Sequence, residues 1–108
     1  GQGWQKTKRY EGTKNTDKDS YIYYIPEESS DNIYLVCDIT EYDTTAVGDK
    51  GIEVYVNDKL IGNIDSKGTT KLKIGYVSGD ELLTVKFHAD NAEYTLYSIS
   101  LDKGQAET

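Results

Sequence analysis

The stretch Gly51–Phe87, GIEVYVNDKLIGNIDSKGTTKLKIGYVSGDELLTVKF, places apolar residues at alternate positions and interrupts them with clusters of Asn, Asp, Gly and Ser. A period of two marks half-buried strands, because successive side chains point to opposite faces of the pleat. Near its start, Val56-Asn57-Asp58-Lys59 reads as a two-residue hairpin loop: Asn and Asp tolerate the positive φ that a type I′ turn demands at both central positions. This turn predicts Val56 opposite Lys59 and Val54 opposite Ile61. Further on, Leu72, Ile74 and Tyr76 share one side of a strand, and Leu83, Val85, Phe87 and Ala89 one side of another.

Working outward, NIYLVCDI at 32–39 is apolar on both alternating sets, Ile33, Leu35, Cys37 and Ile39 against Tyr34 and Val36, which predicts a central strand. Thr95, Tyr97, Ile99 and Leu101 repeat the alternation at the far end. Eight strands are predicted: Trp4–Tyr10, Ser20–Ile25, Asn32–Ile39, Ile52–Val56, Lys59–Ile64, Thr69–Tyr76, Glu81–His88 and Tyr94–Leu101. No helical repeat interrupts them. Pro26, the single proline, follows a strand and ends ladder pairing there. Strands with one dry side need a second sheet to cover them, so the expected fold is all-β, an antiparallel two-sheet sandwich, jelly-roll-like.

The 108 residues fit one domain, and ten tyrosines, ten glycines and one proline suit pleated surfaces better than helices. Within that domain, 1–19 reads as a basic first strand and polar loop, 20–102 as the sandwich body and 103–108 as a tail. Methionine is absent even at position 1, so Gly1 reads as the product of a cut and the chain as an excised piece. The longest apolar run, YIYYI at 21–25, is far short of the roughly 20 residues of a membrane-spanning helix. A soluble piece is expected, whatever the parent.

Charge is divided unevenly. Residues 1–18 carry five Lys and Arg against two acids, and the rest of the chain turns the total to −7. An acidic body argues against nucleic acid as a partner, since phosphate contacts draw on clustered Lys and Arg.

Catalytic chemistry finds little to work with. Cys37 stands alone in an apolar strand and reads as a small core residue, while the only imidazole, His88, falls on the outward side of its strand. The loop TEYDTTAVGDKG, started at Asp43, puts Gly48 at the sixth position of a calcium loop, but Thr45, Val47 and Val54 fall at positions three, five and twelve, where oxygen ligands and above all a final carboxylate are needed. A looser cation site from Asp43 and Asp49 is the weaker alternative to an ordinary solvated loop. No nucleophile elbow, phosphate-cradling loop or paired-cysteine spacing occurs, so no catalytic residue, resident metal or cofactor is assigned. Sugar binding needs exposed flat rings. The alternation YIYYI assigns Tyr21, Tyr23 and Ile25 to the core, which leaves Trp4, Tyr24 and Tyr42 as candidate carbohydrate-binding residues.

Taken in order, SYIYYIPEESSDNIYLVCDI, IEVYVNDKLIG, LKIGYVSGDELLTVKF and YTLYSISLD resemble an extracytoplasmic segment of the YfhO-like family of bacterial multi-spanning membrane proteins. The likeness covers Ser20 to Asp102. It implies an accessory, non-catalytic β-sandwich on the extracellular face of a Gram-positive cell membrane. Its parent would be a membrane glycosyltransferase that decorates envelope polymers such as lipoteichoic acid. The implied partners are the rest of that membrane-embedded chain and envelope glycans. The family's catalytic acids find no matching position here. The alternative is a secreted or surface-anchored carbohydrate-binding or adhesin module.

Overall fold

The computed structural model describes residues 6–9, 14–15, 19–90 and 94–104, the first two segments by their backbone pairing. Its strands are β1 (Lys6–Arg9), β2 (Lys14–Asn15), β3 (Asp19–Tyr24), β4 (Ser30–Tyr42), β5 (Ile52–Val56), β6 (Lys59–Ile64), β7 (Gly68–Val77), β8 (Leu83–His88) and β9 (Tyr94–Lys103), with one helical turn, α1 (Thr44–Val47), before β5. Sheet A has the order β1-β9-β4-β7, with β2 also on β9, and sheet B the order β3-β8-β5-β6. Every paired neighbour is antiparallel. The expected all-β sandwich is therefore present.

The order follows from one long hairpin folded over on itself. Its tip is the Asn57–Asp58 turn between β5 and β6. Moving away from the tip on both arms, β4 pairs with β7, β3 with β8 and β1 with β9. Wrapping this strip brings β9 beside β4 and β8 beside β5. Apart from the β5–β6 hairpin, each step along the chain from β2 to β9 changes sheet, which is the jelly-roll arrangement. The tip has the expected conformation, with φ of 48° at Asn57 and 69° at Asp58. Asn57 also ties the tip to β8: its side-chain Oδ1 accepts from the Thr84 amide at 2.9 Å, and its backbone amide donates to the Thr84 carbonyl at 2.8 Å. Asn57→Ala removes one acceptor and places a poor residue at positive φ. It is expected to cost about 1–2 kcal/mol in a denaturant titration.

Between the sheets lies one apolar core. Sheet A supplies Ile33, Leu35, Cys37 and Ile39 from β4 and Tyr94, Leu96, Ile99 and Leu101 from β9; sheet B supplies Ile52, Val54 and Val56 from β5 and Leu83, Val85 and Phe87 from β8. β4 is central, flanked by β9 and β7, as its two apolar sets predict. Val47 of α1 is also buried. The helical turn occupies a loop in which the sequence predicts no regular element. Asp43 caps it, its carboxylate accepting from the Thr45 and Ala46 amides at 3.0 and 3.1 Å.

Irregular pairing corrects three expected facings. A register shift in the β5–β6 hairpin sets Val54 opposite Gly62, not Ile61. In β7, Gly75 adopts φ 93°, and beyond it Val77 is buried while Tyr76 is 63 % exposed. Tyr76 thus leaves the face it was expected to share with Leu72 and Ile74. In β9, Asp38 pairs with Ser98 but Ile39 with Leu96, so Tyr97 is the extra residue of a bulge. One inserted residue inverts the side-chain alternation, as bulges do. Leu96 and Tyr94 turn inward with Ile99 and Leu101, in place of Tyr97. Thr95 is buried as well, where its hydroxyl donates to a Glu41 carboxylate oxygen at 2.8 Å.

Candidate functional site

The largest departure from the expected pattern lies on β3, and it creates the most distinctive surface of the protein. In an antiparallel pair, residues directly opposite each other share a face. Ile22 is opposite Val85 and Tyr24 opposite Leu83, both core residues of β8, so Ile22 and Tyr24 pack against the core. The buried Pro26 continues this inward set. Tyr21, Tyr23 and Ile25, expected inside, point outward and are 51 %, 56 % and 56 % exposed. YIYYI is apolar on both alternating sets, and only the pairing partner decides which set is dry.

On the outer face of sheet B the pairing lays out rows of side chains. Tyr21 is opposite Lys86, which is opposite Tyr55, which is opposite Leu60. The rings of Tyr21 and Tyr23 are parallel to within 6°, with centroids 6.3 Å apart, close to the two-residue repeat of a strand. The Lys86 ammonium sits 4.5 Å from the centre of the Tyr55 ring, a cation–π contact that holds the lysine along the sheet. Leu60 and Leu82 are exposed as well. One row toward the polar end, Asp19 is opposite His88, which is opposite Glu53. His88 Nδ1 and Asp19 Oδ1 are 2.6 Å apart, with both side chains partly exposed. His88 therefore lies on the outward side, as expected, in contact with a carboxylate.

The residues singled out for sugar binding fall elsewhere. Tyr42 packs against the core, and its hydroxyl donates to the Ile64 carbonyl at 3.2 Å. Burial, aided by the charge of Asp65, pushes its phenol above the usual range. Tyr24 also packs against the core, and Trp4 lies outside the described residues. The described candidates are thus packed against the core, whereas Tyr21 and Tyr23 have exposed side chains. The Asp43 carboxylate is engaged in capping α1, and Asp49 lies exposed. Among the described residues, no group of three or more His, Cys, Asp and Glu is placed to hold a metal ion. Burial pushes the Cys37 thiol up to about 12, so at neutral pH it is a protonated core group and a poor nucleophile.

Comparison with family models, with curated proteins and with solved structures returned no match. Among the described residues, no helix is long and apolar enough to cross a membrane.

Proposed function

We propose that the chain is a non-catalytic β-sandwich module on the extracellular side of a Gram-positive membrane protein that glycosylates cell-envelope polymers such as lipoteichoic acid, and that it holds glycan against the outer face of sheet B. The resemblance of Ser20–Asp102 to YfhO-like proteins supports the setting. The observation that carries the binding role is the exposed, parallel pair Tyr21 and Tyr23 beside the Tyr55–Lys86 contact. Tyrosine combines a large apolar ring with a polar tip, and sugars combine apolar C–H faces with hydroxyl edges. Sugar stacking uses an exposed ring, which these two positions supply.

Titration with teichoic-acid and peptidoglycan fragments, read as amide chemical shifts, tests the reading. Saturable shifts centred on β3 and β8 are expected with at least one of the two fragment classes, with no turnover of a lipid-linked sugar donor by the isolated chain. Turnover by the chain alone overturns the non-catalytic role, and shifts centred on sheet A overturn the site. The same face also favours the second reading, a secreted or surface-anchored carbohydrate-binding module. The two differ in what flanks the module in its parent: several hydrophobic spans in the first case, a signal peptide with a wall-sorting tail in the second.

A further inference from the structure

We infer that the polymer held on the outer face of sheet B is an uncharged sugar chain lying along β3, and not a polyol-phosphate backbone; the inference rests on the glycan-binding reading above. Three features of the face point the same way. The first is direction. Tyr21 and Tyr23 repeat along the strand at 6.3 Å with parallel rings, so the apolar surface is a strip running with β3 and not an isolated patch. Such a strip matches successive sugar rings of an extended chain better than a single terminal sugar.

The second is polarity. The strip runs from Ile25 and Leu82 at one end to the Asp19–His88 pair at the other. Across it, Thr84 is opposite Tyr23 and Lys86 opposite Tyr21. Apolar floor and hydrogen-bonding border occur together, as a ligand with C–H faces and hydroxyl edges requires.

The third is charge. Among β3, β8 and β5 the basic side chains are Lys86 and His88, and both are engaged, one over the Tyr55 ring and the other with Asp19. Asp19 and Glu53 place carboxylates on the same face, and the chain carries a formal charge of −7. A polyanion approaching these strands meets like charge with no free cationic cluster on them to receive it, whereas an uncharged sugar meets no electrostatic penalty.

The test compares three probes on the intact chain by amide shifts: a linear glucan hexasaccharide, an N-acetylglucosamine hexasaccharide and a glycerol-phosphate hexamer. At least one of the two uncharged sugars is expected to shift Tyr21, Tyr23, Thr84 and Lys86, with an affinity little changed by added salt. Tyr21→Ala with Tyr23→Ala is expected to weaken that binding about tenfold or more. Tyr76→Ala, which removes an exposed ring from sheet A, is expected to leave it unchanged. Both variants alter exposed positions, and thermal melting checks that they fold. Binding of the glycerol-phosphate hexamer alone, with steep salt dependence, overturns this inference while leaving a role in holding envelope polymers standing. No shift with any of the three, or with teichoic-acid and peptidoglycan fragments, overturns both. A concentration-dependent dimer abolished by the double tyrosine variant assigns the face to a second copy of the chain, and overturns the inference as well.

Discussion

Val85→Asp is expected to leave the chain unfolded at room temperature. Val85 is 2 % exposed and lies between Ile22 of β3 and Val56 of β5, in a buried set that contains no charged side chain among the described residues. An aspartate there has no cation within the core to pair with. It must either carry its charge out of water or take up a proton, and either course is unfavourable. The loss of valine packing adds to that, and a total of several kcal/mol is comparable to the whole stability of a domain of this size, about 5–15 kcal/mol. Loss of the β-sheet signature in circular dichroism and collapse of amide shift dispersion are the readouts. His88→Ala is the paired control, three positions along the same strand. It removes a partly exposed contact with Asp19, an interaction of the kind worth about 1 kcal/mol or less, and the variant is expected to stay folded. Equal melting temperatures for Val85→Asp and the parent would mean that the inward face of β8 has been misread.

Gly51→Ala is expected to be strongly destabilising. Gly51 sits at φ 68°, and a Cβ built there stands 2.6 Å from the carbonyl oxygen of Ile64 and 3.3 Å from the Tyr42 hydroxyl. The first of these is backbone, held in place because Ile64 pairs with Ile52. The left-handed conformation alone costs a non-glycine residue about 1–2 kcal/mol, and the collision adds to it. A total of about 3 kcal/mol lowers the melting temperature by roughly 10–20 °C. Gly51→Asn separates the two contributions, since asparagine tolerates the left-handed region but carries the same Cβ. It should show the collision with most of the conformational cost relieved. If it melts with the parent, the backbone around Ile64 yields at this point and the contact is not restrictive.

How much of this is legible in the sequence depends on whether local alternation is enough. In β8 it is: LTVKFH has one apolar set, and Leu83, Val85 and Phe87 are buried. In β5 and β6 the turn residues set the strand ends, and both strands run between the predicted limits. In β3 alternation is insufficient, because both sets of YIYYI are apolar and the choice rests with β8, about sixty residues away in sequence. In β9 the alternation is misleading, since the bulge at Tyr97 is created by pairing with β4 and leaves no local mark. The candidate site suffers most. Its rings belong to the strand whose facing is ambiguous, so the tyrosines assigned to the core form the surface, and Tyr24 and Tyr42 go inside. The signal that locates the site is the pairing of Ile22 with Val85, a statement about two strands and not about one.

The nesting of the strands about the Asn57–Asp58 turn also has a temporal side. Val56 and Lys59 meet across two residues, whereas Leu35 with Leu72, Ile22 with Val85 and Lys6 with Leu101 close successively larger loops. Each outer pair is costly to form alone, but every inner pair shortens the chain that the next must close. Folding is therefore expected to run from the tip toward the ends, with the β1·β9 pair sealing last. Such long-range pairing places the protein among slow folders, on the order of milliseconds to seconds. Weakening Asn57 then slows the forward reaction, while weakening the β1·β9 seam leaves that rate alone and hastens unfolding.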